Sequence, residues 1–261
     1  MGPPLPAPFL AAPLAHRGLH DAAAGRPENS LAAVRAAVAA GYGIEIDVQP
    51  SADGEAMVFH DAELARMTGA PGRIDGQTAA ALAALPLRGG DGEGVPTLSG
   101  VLAAVGGRVP LLIEVKDQAG DGGRGIGPLE AAVARSLAGY AGPVAVMSFN
   151  PDSVAAIAAL RPEVPRGLTT CAFTAADMPG VPEERLARLR AIADAGRVGA
   201  SFISHDAEDL GRPRVAALKA QGLAVLCWTI RSPEAEARAR RIADNVTFEG
   251  YAAAIPGRTA A

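Results

Sequence analysis

Cysteine is almost missing from this chain. Cys171 and Cys227 are the only two in 261 residues, and they follow no metal-binding spacing and suggest no disulfide framework. Cys227 lies inside an apolar run and reads as a small buried hydrophobe. Long apolar runs are missing too. None could span a bilayer, so no stable membrane insertion is expected. The stretch Met1 to Leu14 is apolar but lacks a basic n-region, and Pro3, Pro4, Pro6, Pro8 and Pro13 would break a signal helix. It reads as an extended leader into the first strand, with the cytoplasm as the expected compartment. A basic excess is also lacking. The formal net charge of −4 and pI near 5.6 argue against a dedicated nucleic-acid binder, which would carry a basic stripe. They leave room for an anionic small substrate, because local charge decides that. The chain has no internal repeat, no coiled-coil heptads and no low-complexity tail. Its length allows one large domain with a real core.

The chemistry that is present gathers in two short stretches, Ile44-Glu45-Ile46-Asp47-Val48 and Leu111-Leu112-Ile113-Glu114-Val115-Lys116. Both read as buried strands, since β-branched and aliphatic residues dominate them. Strand side chains alternate faces, so Glu45 and Asp47 share one face, as do Glu114 and Lys116. Burying a carboxylate without a partner is costly. Three carboxylates and a lysine converging on one space point to a divalent cation held by oxygen ligands. Internal pairing, Glu114 with Lys116 for instance, is the bland alternative.

In chain order, Leu14 to Gly18 reads as a short strand ending in His16-Arg17-Gly18. Asn29 or Ser30 then caps a helix over 31–40, which Gly41 ends. Strands are expected at Ile44 to Gln49 and Met57 to Phe59, the latter leading into His60-Asp61. From Glu63 to Ser99 the chain is rich in Gly, Ala and Pro, with one helical pattern near 79–85. That is longer than a normal connection and reads as an insertion over one end of the fold. A helix near 98–105 leads to the strand Leu111 to Lys116. Strands and helices then alternate: strands at 143–149, 167–170, 202–204, 223–230 and 245–248, and helices at 130–137, 151–160, 183–193, 214–219 and 233–241. About eight strands with helices between them predict an α/β fold, a closed (β/α)8 TIM barrel with a small inserted subdomain, as a single domain over 1–261. A doubly wound open sheet is the second choice. The barrel would place His16, Arg17, Glu45, Asp47, Glu114, Lys116 and Trp228 at or near strand C-termini.

Arg17 can hold a phosphate oxygen in a charged, forked contact. His16 and His60 can move protons near neutral pH. His20 and His205 read as ordinary loop residues. Two histidines, an arginine, three carboxylates and a lysine make a phosphoester-cleaving set: the cation offsets phosphate charge, one histidine takes a proton from the nucleophile, and the other gives one to the leaving oxygen. On the residues alone the reading stops at metal-assisted phosphodiester or phosphomonoester hydrolysis, with one metal rather than two.

Several ordered motifs then resemble those of glycerophosphodiester phosphodiesterases. They are His16-Arg17-Gly18, Pro27-Glu28-Asn29-Ser30, Glu45-Ile46-Asp47-Val48, Asp53-Gly54, His60-Asp61 and Glu114-Val115-Lys116. Pro96-Thr97-Leu98, Ser148-Phe149 and Trp228-Thr229 also look like that family. The resemblance spans nearly the whole chain. It implies a TIM barrel with an inserted subdomain over roughly 53–98 and a Mg²⁺ or Ca²⁺ ion on Glu45, Asp47 and Glu114. His16 and His60 would be the general base and acid. On the substrate side, Arg17 and Lys116 would bind phosphate, Trp228 would wall the glycerol pocket, and Glu28 would orient the first loop. The implied substrate is a small glycerophosphodiester from deacylated phospholipid, cleaved to sn-glycerol 3-phosphate and an alcohol. The rival is lysophospholipase D or sphingomyelinase D-like action on lipid. Two positions depart from the pattern: Arg231 stands where the family often has Asn, and Thr247-Phe248-Glu249-Gly250 where it often has Thr-Asp-Xaa-Pro. Arg231 reads as a surface charge.

Overall fold

The computed structural model describes residues 2–118, 126–176 and 178–256; the ends of the domain expected over 1–261 lie outside the described residues. Among the described residues nine strands form one sheet: β1 (Leu14–Ala15), β2 (Gly43–Pro50), β3 (Ala56–Val58), β4 (Leu111–Val115), β5 (Val144–Ser148), β6 (Arg166–Thr170), β7 (Phe202–Asp206), β8 (Ala224–Ile230) and β9 (Asn245–Phe248). Leaving out β3, the other eight are all parallel, and β1 closes the circle by pairing with both β2 and β9. Helices follow the barrel strands, at Leu31–Ala40, Leu98–Val105, Pro128–Ser136, Pro151–Leu160, Glu183–Arg190, Pro213–Ala220 and Pro233–Ala239. The chain is a TIM barrel, as the strand count predicts. Among the described residues no helix is long and apolar enough to cross a membrane.

The period of two along each strand sorts side chains between two cores. Ile44, Ile46, Val48, Leu111, Ile113 and Val115 face outward into the large cluster shared with the helices. Leu14, Leu112, Ala145, Met147, Phe202 and Leu226 face inward and fill the lower barrel. Phe9, from the short helix Pro8–Ala11, packs beneath them and is fully buried. The Asn245 side chain fastens that helix to the barrel by donating to the carbonyls of Phe9 and Ala12, both at 2.7 Å. The apolar N-terminal stretch is therefore the floor of the barrel. Further along the same inward faces the residues turn polar, and Glu45, Asp47 and Glu114 stand above this floor.

Gly167 on β6 lies opposite Phe202 on β7. A Cβ at position 167 would sit 2.5 Å from the Phe202 ring. Gly167→Ala is therefore expected to destabilise by about 1–3 kcal/mol through overpacking of the barrel interior. Thermal denaturation measures this, and an unchanged midpoint would mean that the ring has room to move.

Between β2 and the helix Leu98–Val105 the chain leaves the barrel. β3 pairs antiparallel with β2, Val48 opposite Val58. Met57, Phe59, Leu64, Ile74, Leu82 and Val95 form a small core of their own. Short helices occupy Ala65–Thr68 and Ala79–Ala83. Sequence periodicity finds only the second, because four residues are too few to establish a period. The segment is anchored at the C-terminal end of the barrel strands: Phe59 N–H donates to the Asp47 carbonyl at 3.0 Å, and the Gln49 amide to the His60 carbonyl at 3.0 Å.

Three local expectations need correction. The stretch before β1 is not an extended leader throughout, since Pro8–Ala11 is helical. β1 ends at Ala15 rather than Gly18, because Arg17 adopts a left-handed backbone with φ 54°. His205 is not a loop residue. β7 continues through it, and the imidazole is fully buried, with Nδ1 2.7 Å from the Thr170 hydroxyl on the adjoining strand. It faces outward like Ile203, so it belongs to packing.

Candidate active site

Glu45 and Asp47 project inward from β2, and β4 lies beside it with Asp47 directly opposite Glu114. This register brings one oxygen from each of the three carboxylates to within 4.8 Å of the others. All three are buried, at 2 %, 2 % and 6 % exposure. Each has specific partners. The left-handed turn at Arg17 aims its backbone N–H at Glu45 Oε2, at 3.1 Å. Asn29 clamps Asp47 from both sides: its amide donates to Asp47 Oδ2 at 3.0 Å, and its carbonyl oxygen accepts from the Asp47 N–H at 3.2 Å. Arg17 Nε lies 3.3 Å from Asp47 Oδ2. Lys116 Nζ lies 2.7 Å from Glu114 and 3.1 Å from Asp47.

The charges do not balance evenly. Burial opposes ionisation of Asp47, but Lys116, His60, Arg17 and the Asn29 amide overturn that and hold its pKa well below the usual range. Glu45 is pushed well above its usual value by burial and by the neighbouring Asp47 and Glu114 charges. The Lys116–Glu114 pair anticipated from sequence is real and extends to Asp47, yet it leaves Glu45 short of positive charge. Three buried carboxylates converging with oxygen donors only fit a hard divalent cation.

Each of the two candidate histidines backs onto a carboxylate. His16 Nδ1 is 2.5 Å from Glu249 Oε2 and donates to it, while Nε2 lies 4.0 Å from Glu45. His60 Nδ1 is 2.8 Å from Asp61 Oδ1. In both rings Nδ1 is occupied, and Nε2 is left for chemistry. Burial lowers the pKa of His60; Asp47 and the Asp61 hydrogen bond oppose this, and the Lys116 and Arg17 charges reinforce it. Arg66, from the inserted segment, grips Asp61 and also Glu28, which in turn accepts from Arg17 Nη1 at 2.9 Å. This ionic chain ties His60 to Arg17.

His16, Arg17, Glu45, Asp47, His60, Glu114 and Lys116 line one cleft at the C-terminal end of the barrel, with Met147, Phe149, Trp228 and Thr247 on the remaining walls. Trp228 donates from Nε1 to the Ser204 carbonyl at 3.0 Å and packs edge-to-face on Phe149, with centroids 5.6 Å apart. Glu28 stands behind Arg17 and does not line the cleft. Arg231 is exposed, as the sequence suggests, but it lines the rim and pairs with Glu249 Oε1 at 2.7 Å.

Besides Arg66, the sequence misses two further supporting residues. Asn29 competes with Ser30 as a helix cap on sequence grounds. The structure separates them: Ser30 Oγ accepts from the Ala33 N–H, freeing Asn29 for Asp47. Glu249 carries no local signal, since its partner His16 is 233 positions away.

Comparison with known proteins bears on this site. The profile of the glycerophosphoryl diester phosphodiesterase family matches residues 16–246. YhdW of Bacillus subtilis (strain 168), provisionally named a glycerophosphodiester phosphodiesterase, is 27% identical over 233 residues, covering 86% of this chain and 88% of its own. A phosphodiesterase of Oleispira antarctica, solved with its product sn-glycerol-3-phosphate, superposes with a TM-score of 0.72 at 27% identity, over 92% of this chain and 93% of that one. A Thermotoga maritima glycerophosphodiester phosphodiesterase shares the fold, with a TM-score of 0.68 at 22% identity over 91% and 94% of the two chains.

Proposed function

The chain belongs to the glycerophosphoryl diester phosphodiesterase family, and from that premise we propose that it hydrolyses small glycerophosphodiesters to sn-glycerol 3-phosphate and an alcohol, with a divalent cation and two histidines. The observation that carries this reading is the cleft itself: one histidine lies against Glu45, the other in the field of Asp47, and each is backed at Nδ1 by a carboxylate.

Mg²⁺ or Ca²⁺ held by Glu45, Asp47 and Glu114 would offset phosphate charge and polarise the phosphoryl oxygens. Arg17 and Lys116 bind the phosphate. In support, Arg17 Nε is buried and, although 3.3 Å from Asp47 Oδ2, makes no well-formed hydrogen bond there. His16 takes the proton from the nucleophile through Nε2, and His60 returns one to the leaving alcohol oxygen. Asp61 holds His60 in the required orientation, and Glu28 holds Arg17. Trp228 and Phe149 form the apolar wall that receives the glycerol carbons. The cytoplasm remains the proposed compartment, supported by two cysteines that form no disulfide.

Action on lysophospholipid would call for an apolar lip. The exposed large hydrophobics among the described residues are Leu10 and Leu160, and neither lines the cleft. The test is turnover of glycerophosphocholine, glycerophosphoethanolamine and lysophosphatidylcholine with Mg²⁺ or Ca²⁺, read as released sn-glycerol 3-phosphate for the first two and as released choline for the lysolipid. Release from the first two supports the reading; turnover of the lysolipid alone would replace it. Trp228→Ala is expected to raise KM about tenfold, equivalent to ~1.4 kcal/mol of lost contact, with kcat little changed. Unchanged KM with a large fall in melting temperature would return Trp228 to a packing role.

A further inference from the structure

Beside the catalytic cleft lies a second cluster of ligand-type side chains. His16 and His20 sit in the turn after β1, and Glu249 follows β9. β1 and β9 are paired with Ala15 opposite Phe248, which sets His16 next to Glu249. One ligand atom from each of His16, His20 and Glu249 lies within 4.8 Å of the others. Glu249 Oε2 is 2.5 Å from His16 and 3.5 Å from His20. The other oxygen, Oε1, is held by Arg231 at 2.7 Å, which fixes the carboxylate plane. His20 Nε2 is buried and faces Glu249 Oε2 without a well-formed hydrogen bond to it. A buried imidazole nitrogen beside a carboxylate and a second imidazole brings together three donors that a metal ion can take.

We propose that His16, His20 and Glu249 form a second, inhibitory cation site that takes a borderline transition metal, Zn²⁺ first among them. Two imidazole nitrogens and one carboxylate oxygen are a zinc donor set, whereas the all-oxygen trio of Glu45, Asp47 and Glu114 suits Mg²⁺ or Ca²⁺. Ligand chemistry thus sorts the two metals between two neighbouring sites. Bonds of about 2.0–2.1 Å in a tetrahedron put donor atoms about 3.3 Å apart. The His20–Glu249 separation already matches. The His16–Glu249 separation has to open by less than about 1 Å, exchanging a hydrogen bond for two metal bonds. Two of the three ligands, His20 and Glu249, line a surface cleft with Gly18, Asp21, Tyr42 and Tyr251, whereas His16 lines the catalytic cleft, so the cluster lies between the two.

Inhibition follows from where the ring keeps its proton, and it rests on the reading of His16 as general base. With Nδ1–H donated to Glu249, the lone pair is at Nε2, ready to accept a proton. A metal on Nδ1 uses that nitrogen's lone pair. The neutral ring still carries one proton, which leaves Nδ1 and returns at Nε2 through solvent. No nitrogen is then free to act as base. The site couples transition-metal exposure to loss of turnover without touching the phosphate ligands.

The experiment compares the wild-type protein with His20→Gln, both kept in excess Mg²⁺ to fill the all-oxygen trio. Zn²⁺ binding is measured by equilibrium dialysis, Co²⁺ binding by its visible absorption, and glycerophosphocholine turnover alongside. The wild type is expected to bind one additional Zn²⁺, to develop the intense Co²⁺ bands of a tetrahedral nitrogen-containing site, and to lose turnover as that site fills. His20→Gln should keep the Mg²⁺-supported rate, lose the Co²⁺ bands and need about 10- to 100-fold more Zn²⁺ for the same inhibition. No additional Zn²⁺ in the wild type, or equal binding in both proteins, would overturn the site. Binding that depends on His20 without loss of turnover would keep the site and overturn His16 as the base.

Discussion

Asp47→Asn is expected to lower kcat/KM by about 10²- to 10³-fold or more while the protein stays folded. Asn has the same shape, and the amide of Asn29 and the backbone of β2 remain in place. What disappears is the charge on which the site converges: Lys116, Arg17 and His60 all act on Asp47. In the same assay a chelator should abolish activity, and Mg²⁺ or Ca²⁺ should restore it. Full activity of metal-stripped protein, or near-normal turnover by Asp47→Asn, would remove the acidic trio from the mechanism. The substitution also has a pH signature in stability. The folded-state pKa of Asp47 is depressed, so its pairing stabilises the protein above the unfolded carboxylate value of about 3.9 and is lost as pH falls through the lower folded value. Asp47→Asn should therefore flatten the acid limb of the wild-type stability curve, as measured by thermal denaturation across pH.

The second large effect separates the two histidines. An alkoxide is a poor leaving group, because its conjugate acid has a pKa near that of water, ~15.7. Its departure needs a proton, whereas a nitrophenolate leaves without one. His60→Ala should therefore lose about 10²- to 10⁴-fold on glycerophosphocholine and far less on a nitrophenyl diester. His16→Ala, which removes the proposed base, should lose comparably on both. The opposite pattern would exchange the roles, and equal losses throughout would leave neither as a dedicated acid. Because burial lowers the pKa of His60, the protonated form it needs as an acid is depleted at a lower pH than for an ordinary histidine. The rate on the alkyl ester should thus fall as pH rises through that lowered value, with the aryl ester lacking the same limb.

The parts of this site that were legible in the sequence share a cause. β2 alternates aliphatic with charged residues, β4 does so only from Ile113 into Lys116, and the period of two alone places Glu45 with Asp47 and Glu114 with Lys116. Strand and helix signals recurring along the chain imply the barrel, and the barrel puts its functional groups at strand C-termini. The motif His60-Asp61 announces a histidine with its own carboxylate, because the two are adjacent in sequence.

What stayed hidden depends on closure. His16 meets Glu249 only because β1 inserts between β2 and β9, joining residues 233 positions apart. β1 is two residues long and carries no periodicity to announce that position. His20 read as an ordinary loop residue, and Arg231 as a surface charge, because the carboxylate between them arrives from the last strand. The bridge from Arg66 through Glu28 to Arg17 likewise crosses from the inserted segment to the first loop. Local alternation of side chains is a property of each strand and is written in it. Which nitrogen faces which oxygen is set by barrel register and by loop turns such as the left-handed one at Arg17, and these are decided only when the ring of strands closes.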